Sequence, residues 1–468
     1  MKAERPNILL INIDQLRPDF MGCYGFPANT TPYMDRMAEG GVTCNGMYCA
    51  SPMCTPSRYS LLSGVFPSVH GALTNSKGPR AGVESLIGQI SRQGYHTVCF
   101  GKLHHEPPDA PFGFDEVYLH DGTFRNRRPY SVYSRWLVEQ GVDEDDLAYP
   151  VEIDDDPERR RLRDRVHWGR CRLDDDYTES TFLARFAVQH FERLQTRQPV
   201  LCYASFLAPH SPYCPPAPYD RAFAPAAMPL PPRESEQELD GKHSWLRRHR
   251  DERYLGVLPE KTIRDVRAQY AGLLNHADLR IGEVIAAFRA RFGADSLIVI
   301  TADHGDLLGE HHLFEKALMY EASVRVPCIF NWPGHLPARR RHDGLLQQVD
   351  LLPTIMGLAG LTIPAGLDGR NRAEEIMGKS PAQGAAVVFS ENYETPYGDY
   401  IAMARSATHK LIYYRQKSGG APFYEFYDLQ KDPGELVNIA SGAAATPAYR
   451  ELAAALEQWM ANNRAPVT

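Results

Sequence analysis

The chain has 468 residues, 43% of them hydrophobic and 10% aromatic, enough for a large core and too apolar for a disordered protein. Lys and Arg number 51 against 58 Asp and Glu, a net charge of −7, which argues against general binding to a nucleic-acid backbone. Nine cysteines at irregular spacing include no C-x-x-C pair, and Cys49 and Cys54 fit no zinc-ligand pattern.

The first element, "NILLINID" (7–14), reads as a buried parallel strand with Asp14 at its carboxyl end. Its apolar run is too short for a leader or a membrane span, so the expectation is a cytoplasmic protein without a membrane role, or an exported one if a leader has been removed. "TPYMDRMAEGG" (31–41) and "SLIGQISRQG" (85–94) have helical patterns closed by glycine, and "YHTVCFGK" (95–102) is a strand. "ESTFLARFAVQHFERLQTR" (179–197) predicts an amphipathic helix leading into the strand of "PVLCYASFLAPH" (199–210). A long helix over 263–293 precedes the strand of "DSLIVITADHGD" (295–306). This alternation predicts an α/β fold: a large, mainly parallel, doubly wound sheet flanked by helices.

Two stretches break the alternation. Residues 121–178 carry acidic runs (Asp143–Asp146, Asp154–Asp156, Asp174–Asp176) with weak periodicity and read as an insertion near the mouth of a site. Residues 211–262, rich in proline and charge, read as long loops. The expected catalytic domain spans 1–380. Residues 381–468 are expected to form a smaller α+β subdomain, with short antiparallel strands and a closing helix over "PAYRELAAALEQWMANN". The triplets Arg159–Arg161 and Arg339–Arg341 sit beside acidic residues and read as solvated surface.

Ligands of doubly wound sheets bind outside the carboxyl ends of the strands. Here those ends carry Asp14, Gln15, Lys102, His104, His210, Asp303 and His304. Two carboxylates with a side-chain amide oxygen suit a hard divalent cation, and the imidazole of His304 keeps Mn²⁺ in contention. Around them Arg58, Lys102, His104, His210 and Lys316 suggest a compact anionic substrate. His105, His311 and His312 read as structural.

"CTPSR" (54–58) followed by "YSLLSG" resembles the signature of the sulfatase family, in which Cys-x-Pro-Ser-Arg marks a cysteine oxidised to formylglycine. "NIDQLRPDFMGCYG", "GKLHH", "APHSPYCPP", "TADHGDLLGEHHLFEK", "QVDLLPTIMGLAG" and "FYEFYDLQKDPGELVNIA" resemble further family segments in the same order, from residue 7 to about 440. The resemblance implies that Asp14, Gln15, Asp303 and His304, with the modified Cys54, hold a divalent metal, Ca²⁺ first and Mg²⁺ or Mn²⁺ as alternatives. It implies that Arg58 steadies the formylglycine and that Lys102 and His104 serve sulfate binding and deprotonation of the hydrated aldehyde. His210 and Lys316 would face the sulfate and the leaving oxygen. One hydroxyl of the hydrate attacks sulfur and the alcohol leaves; the second hydroxyl then loses its proton and expels sulfate.

A formylglycine-generating enzyme is the implied maturation partner, and a small-molecule or saccharide sulfate ester the implied substrate. The acidic runs argue against a densely sulfated polymer. Many family members have a second Asp at the position of Gln15 and Asn at that of His304. The versions found here also occur in related phosphonate monoester hydrolases, but those carry Gly and Ala where this chain has Thr55 and Ser57. A sulfatase is therefore the expectation and a phosphonate monoester or phosphodiester hydrolase the alternative. A non-catalytic anion-binding relative should have lost Cys54, Arg58 or a metal ligand, and all are present.

Overall fold

A computed structural model describes residues 5–120, 128–142, 151, 157–395, 398–415 and 419–463. Among the described residues nine strands form one sheet and four form another. The large sheet contains β1 (Ile8–Ile13), β2 (Val42–Tyr48), β3 (His96–Gly101), β4 (Glu116–Leu119), β5 (Val200–Phe206), β6 (Leu297–Ala302), β7 (Arg325–Val326), β8 (Cys328–Asn331) and β9 (Arg340–Gln347). Its order is β4-β3-β5-β1-β6-β8-β2-β7, with β9 also paired to β2.

The run β4-β3-β5-β1-β6 is parallel throughout. β1, β5 and β6 are buried along their whole length, as expected of near-continuous apolar runs covered on both faces. The helices Glu179–Arg193 and Pro32–Glu39 pack on the long helix Glu260–Phe292. The carboxylate of Asp278 in that helix accepts the amides of Tyr33 (2.8 Å) and Met34 (2.9 Å), holding the start of the Pro32–Glu39 helix. The helices Leu86–Arg92 and Leu351–Leu358 pack against the helix Cys54–Ser63. Among the described residues no helix is long and apolar enough to cross a membrane.

The helix that carries the cysteine motif begins at Cys54 itself. Pro56 lies in its first turn, where the missing N–H removes no helical hydrogen bond, so the proline reads as a break in sequence without being one. Residues 211–262 are not loops throughout, because Ser244–Tyr254 is helical. Its buried stripe of Trp245, Leu246, Arg250 and Tyr254 includes an arginine, which hides the periodicity among charges. In the far part of this mainly parallel sheet, as expected overall, β8 and β7 run against their neighbours.

The second sheet is antiparallel: β10 (Val388–Asn392), β11 (Tyr400–Arg405), β12 (His409–Arg415) and β13 (Phe423–Asp428) in sequence order. The closing helix Pro447–Asn462 packs on it, with Trp459 stacked on Phe389 at 5.0 Å. Of the stretch read as an insertion, the described part holds the helices Val132–Glu139 and Pro157–Val166. The acidic runs 143–146 and 154–156 fall outside the described residues, whereas Asp175 pairs with His276 at 2.7 Å and Arg280 at 2.6 Å.

Candidate active site

Four adjacent parallel strands, in the order β3-β5-β1-β6, end on one edge of the large sheet, and β2 delivers the Cys54–Ser63 helix to it. That is why residues distant in sequence meet. Past β1 the backbone turns through Gln15 at φ 64°, and past β3 through His104 at φ 53°. Both lie in the left-handed region, which costs energy outside glycine and is retained where surrounding structure enforces it. Gly101 is required before this turn: a Cβ there would lie 2.0 Å from the carbonyl oxygen of Ser205.

Ligand atoms of Asp14, Cys54, Asp303 and His304 all lie within 4.8 Å of one another, and all four residues are buried. Arg58 is fully buried beneath them. Its Nε donates to Asp303 Oδ2 at 2.9 Å and its Nη2 to Asp14 Oδ2 at 3.1 Å, while Nη1 donates to Ser205 Oγ at 2.7 Å and to the Lys102 carbonyl at 2.5 Å. The fork thus fixes both carboxylates and leaves Asp14 Oδ1 facing Cys54 Sγ at 4.0 Å. His304 Nδ1 lies 3.0 Å from the Gly305 carbonyl, an acceptor, so Nδ1 carries the proton and Nε2 presents its lone pair to Cys54 Sγ, 3.1 Å away. Lys102 Nζ sits 2.5 Å from Asp14 Oδ2 and 3.8 Å from Cys54 Sγ.

Burial alone would raise the Cys54 thiol. Lys102, Lys316, His304 and a hydrogen bond from His104 outweigh it and hold the thiol well below its usual range. Asp14 is held below the carboxylate range: burial and Cys54 oppose ionisation, and Lys102, His210 and Arg58 overcome them. Burial disfavours the charged form of His304, yet the Asp303 carboxylate prevails and its pKa rises.

The other two expected cations form a pair. Lys316 Nζ lies 2.7 Å from His210 Nε2 and donates to Gln15 Oε1 at 2.7 Å. His210 Nδ1 is 2.6 Å from the Ser211 carbonyl, which assigns the proton to Nδ1 and makes Nε2 the acceptor of the Lys316 ammonium. Gln15 Nε2 donates to the buried Asp306 at 2.5 Å, which also accepts from Tyr213 OH at 2.6 Å. Every expected site residue therefore reaches this edge, with the amide oxygen of Gln15 on Lys316. His105 is stacked on Tyr59 at 4.2 Å, and His311 and His312 bond to Glu234, in keeping with structural roles.

The two hydroxyls of the motif both have partners. Thr55 Oγ1 donates to the His104 carbonyl at 2.6 Å, and Ser57 Oγ to the Asp303 carbonyl at 2.6 Å, tying the helix to two strand-end loops. Two amides at the helix start already have partners: that of Thr55 donates to Asn75 Oδ1 at 2.9 Å and that of Ser57 to the Met53 carbonyl.

Sequence reasoning missed several supports. Gln348 Oε1 accepts from the Ala50 amide and lies 2.9 Å from Ser57 Oγ. It lies in the quoted "QVDLLPT" segment, as Asp306 lies in "TADHGD", so a signal existed. Asn75, and Glu394 which accepts its amide at 2.6 Å, are isolated polar residues without a motif.

Two carboxylates, an imidazole lone pair and a sulfur position, all converging in a buried space, match the donor chemistry of a divalent cation site. The two carboxylates suit Ca²⁺, Mg²⁺ or Mn²⁺.

The sulfatase family profile matches residues 6–361, and that of the N-sulphoglucosamine sulphohydrolase C-terminal region matches 309–465. An arylsulfatase of Clostridium perfringens is 27% identical over 457 residues, covering 93% of this chain and 90% of that protein. A delta 4,5-hexuronate-2-O-sulfatase of Bacteroides thetaiotaomicron is 25% identical, covering 98% and 90%. Among solved structures, a phosphonate monoester hydrolase from Silicibacter pomeroyi superposes with a TM-score of 0.81 at 26% identity, covering 99% of this chain and 96% of that one.

Proposed function

This chain belongs to the sulfatase family, and from that premise we propose that it hydrolyses sulfate monoesters to alcohol and sulfate, using a divalent metal and a formylglycine made from Cys54. The observation that carries the reading is the convergence of Asp14, Cys54, Asp303 and His304 around one point, with Arg58 locking the two carboxylates from below.

A cation held by Asp14, Asp303, His304 and Gln15 would supply Lewis-acid polarisation of oxygen at position 54 and on the sulfate. Hydrated formylglycine would supply two hydroxyls, one to attack sulfur and one whose deprotonation releases sulfate. Lys102 Nζ, already 3.8 Å from the Cys54 sulfur, places a point charge beside the non-bridging sulfate oxygens. His104, also hydrogen-bonded to the Cys54 side chain, takes the proton in the release step. Lys316 Nζ gives its proton to the leaving alcohol oxygen, oriented by His210 Nε2 and Gln15 Oε1. Arg58 stays charged and touches no substrate; it fixes the carboxylates. The substrate is a sulfate ester of a small molecule or a saccharide, and a formylglycine-generating enzyme acts on Cys54.

In active enzyme the peptide containing Cys54 is expected to be lighter by about 18 Da, for loss of H₂S and gain of oxygen. Cys54→Ala should abolish turnover with the fold retained, and chelation should do so reversibly. Full activity in Cys54→Ala would sink the proposal.

A second reading, a phosphonate monoester hydrolase, is favoured by the likeness at 26% identity together with the Gln15 and His304 pair. Both esters present a singly charged tetrahedral group, so the ratio of kcat/KM decides. Thr55 and Ser57 lead us to expect an aryl sulfate to exceed the matching aryl phosphonate by at least about tenfold, or about 1.4 kcal/mol. A reversed ratio, at equal formylglycine content and with the same metal, would make the phosphonate reading the better one.

A further inference from the structure

Beside His210 opens a cavity of about 100 Å³ that the chemistry above does not use. Its walls come from four places: Leu207, Ala208 and Pro212 follow β5, Leu273 comes from the Glu260–Phe292 helix, Tyr133 from the Val132–Glu139 helix, and Leu173 and Glu179 from the stretch between that helix and β5. The lining is overwhelmingly apolar. Its polar groups are mostly engaged elsewhere: Tyr133 OH donates to the Tyr177 carbonyl at 2.8 Å, Thr178 Oγ1 to the Asp175 carbonyl at 2.9 Å, and His276 Nε2 meets Asp175 at 2.7 Å. Two groups make no hydrogen bond among the described residues: Nδ1 of His276, and the Glu179 carboxylate, which lies 3.6 Å from His120.

His210 lines this cavity and holds Lys316 Nζ at 2.7 Å, so the cavity adjoins the group assigned to the leaving oxygen. Resting on the sulfatase reading, we propose that this cavity binds the alcohol part of the ester and selects a single flat apolar ring, a phenol-type leaving group, over a sugar. Size restricts it to one ring: an apolar cavity of about 150 Å³ takes up benzene in another protein, and this one, at about 100 Å³, would hold such a ring part-inserted, with its oxygen toward His210. Chemistry supports it too. A sugar ring carries hydroxyls on every side, and walls of Leu207, Ala208, Leu273 and Pro212 leave those unpaired, which is costly when buried.

The test compares phenyl sulfate with ethyl sulfate in wild type and in Leu273→Trp, which fills the cavity. Because each ester is compared with itself between proteins, intrinsic leaving-group reactivity cancels. The ratio of kcat/KM for phenyl over ethyl sulfate is expected to fall by about tenfold, and 2-naphthyl sulfate to gain on phenyl sulfate in Leu273→Ala, where the cavity is enlarged. A ratio that does not change in an active Leu273→Trp enzyme overturns the proposal. Should that variant fail to fold, product inhibition of wild type decides: phenol must compete at lower concentration than glucose, and the reverse order overturns it. If wild type with verified formylglycine turns over no sulfate ester, the sulfatase reading fails. Binding of phenol against glucose, followed by calorimetry, then still judges the cavity by itself.

Discussion

Two buried charge clusters lie within ten residues of each other in sequence, and they do opposite things. One is the strand-end group of Asp14, Arg58, Asp303 and His304. The other begins at His311, whose Nδ1 meets Glu234 at 2.5 Å, and continues through Lys242, 3.1 Å from the same carboxylate. Lys242 lies 4.6 Å from the rings of both Tyr320 and Tyr427, and His311 is stacked on Tyr320 at 3.7 Å. Nearby, Lys410 bridges Glu321 at 2.8 Å and Glu435 at 2.7 Å. In this second cluster cations and carboxylates alternate under aromatic cover, so it closes on itself and joins the second sheet to the first. In the first cluster lone pairs of two carboxylates, an imidazole and a sulfur are aimed at one another, a repulsive arrangement that calls for a cation. Burial of charge does not mark the site; convergence of acceptors does.

The sharpest test of that contrast is Arg58→Met against Lys410→Met. Arg58→Met leaves two buried carboxylates unfixed, and we expect kcat/KM to fall by about 10³-fold or more, read with an aryl sulfate, on the scale of losing a group that orients the catalytic set. Lys410→Met strands Glu321 and Glu435, and removing one partner of a buried pair costs about 3–5 kcal/mol. Specific activity of the folded fraction should nevertheless stay within about twofold, since distant sites act independently. Comparable activity losses in the two variants would erase the distinction.

Acid pH probes the structural cluster next. Burial opposes the charge on Glu234, yet His311 and Lys242 bring its pKa down from 4.5 to about 2. The folded carboxylate thus binds its proton more weakly than the unfolded chain, and unfolding takes up a proton. This stability is present above about pH 4.5 and is lost as pH falls toward about 2, an effect of about 3 kcal/mol. Urea unfolding of wild type and Glu234→Gln at falling pH should show a steeper decline for wild type; parallel curves would count against the pairing.

The smallest effect is expected from Thr55→Val, which keeps shape and removes the bond to the His104 carbonyl. A single hydrogen bond is worth about 1 kcal/mol, so a loss of about fivefold in kcat/KM, with metal affinity retained, is the expected outcome. No loss at all would show that the His104 turn needs no tether from the motif.

The strand ends were legible because parallel strands buried on both faces read as continuous apolar runs, and the polar residues closing them stand out: Asp14 after "NILLINI", Lys102 after "TVCFG", Asp303 after "LIVITA". The order of strands was not, since register and neighbours are set by crossovers that leave no local mark. β2, "VTCNGMY", mixes Thr, Asn and Gly into a buried strand, and β8 is only "CIFN"; neither carries the period or length that identifies a strand. In the site, motif residues were readable and their supports less so. Asn75 and Glu394 come from loops far apart in sequence and act through one amide each, a role any polar residue can fill.

The origin of the cavity walls has an evolutionary consequence. The reacting atoms sit on strand ends and on the Cys54–Ser63 helix, whereas part of the wall beside His210 belongs to the Val132–Glu139 helix, which supplies none of them. A lineage can therefore lengthen, trade or re-sculpt that segment by ordinary duplication and drift, acquiring new alcohols to release, while the inherited reaction centre stays untouched. Diversification of such enzymes is then a matter of changing the doorway rather than the engine.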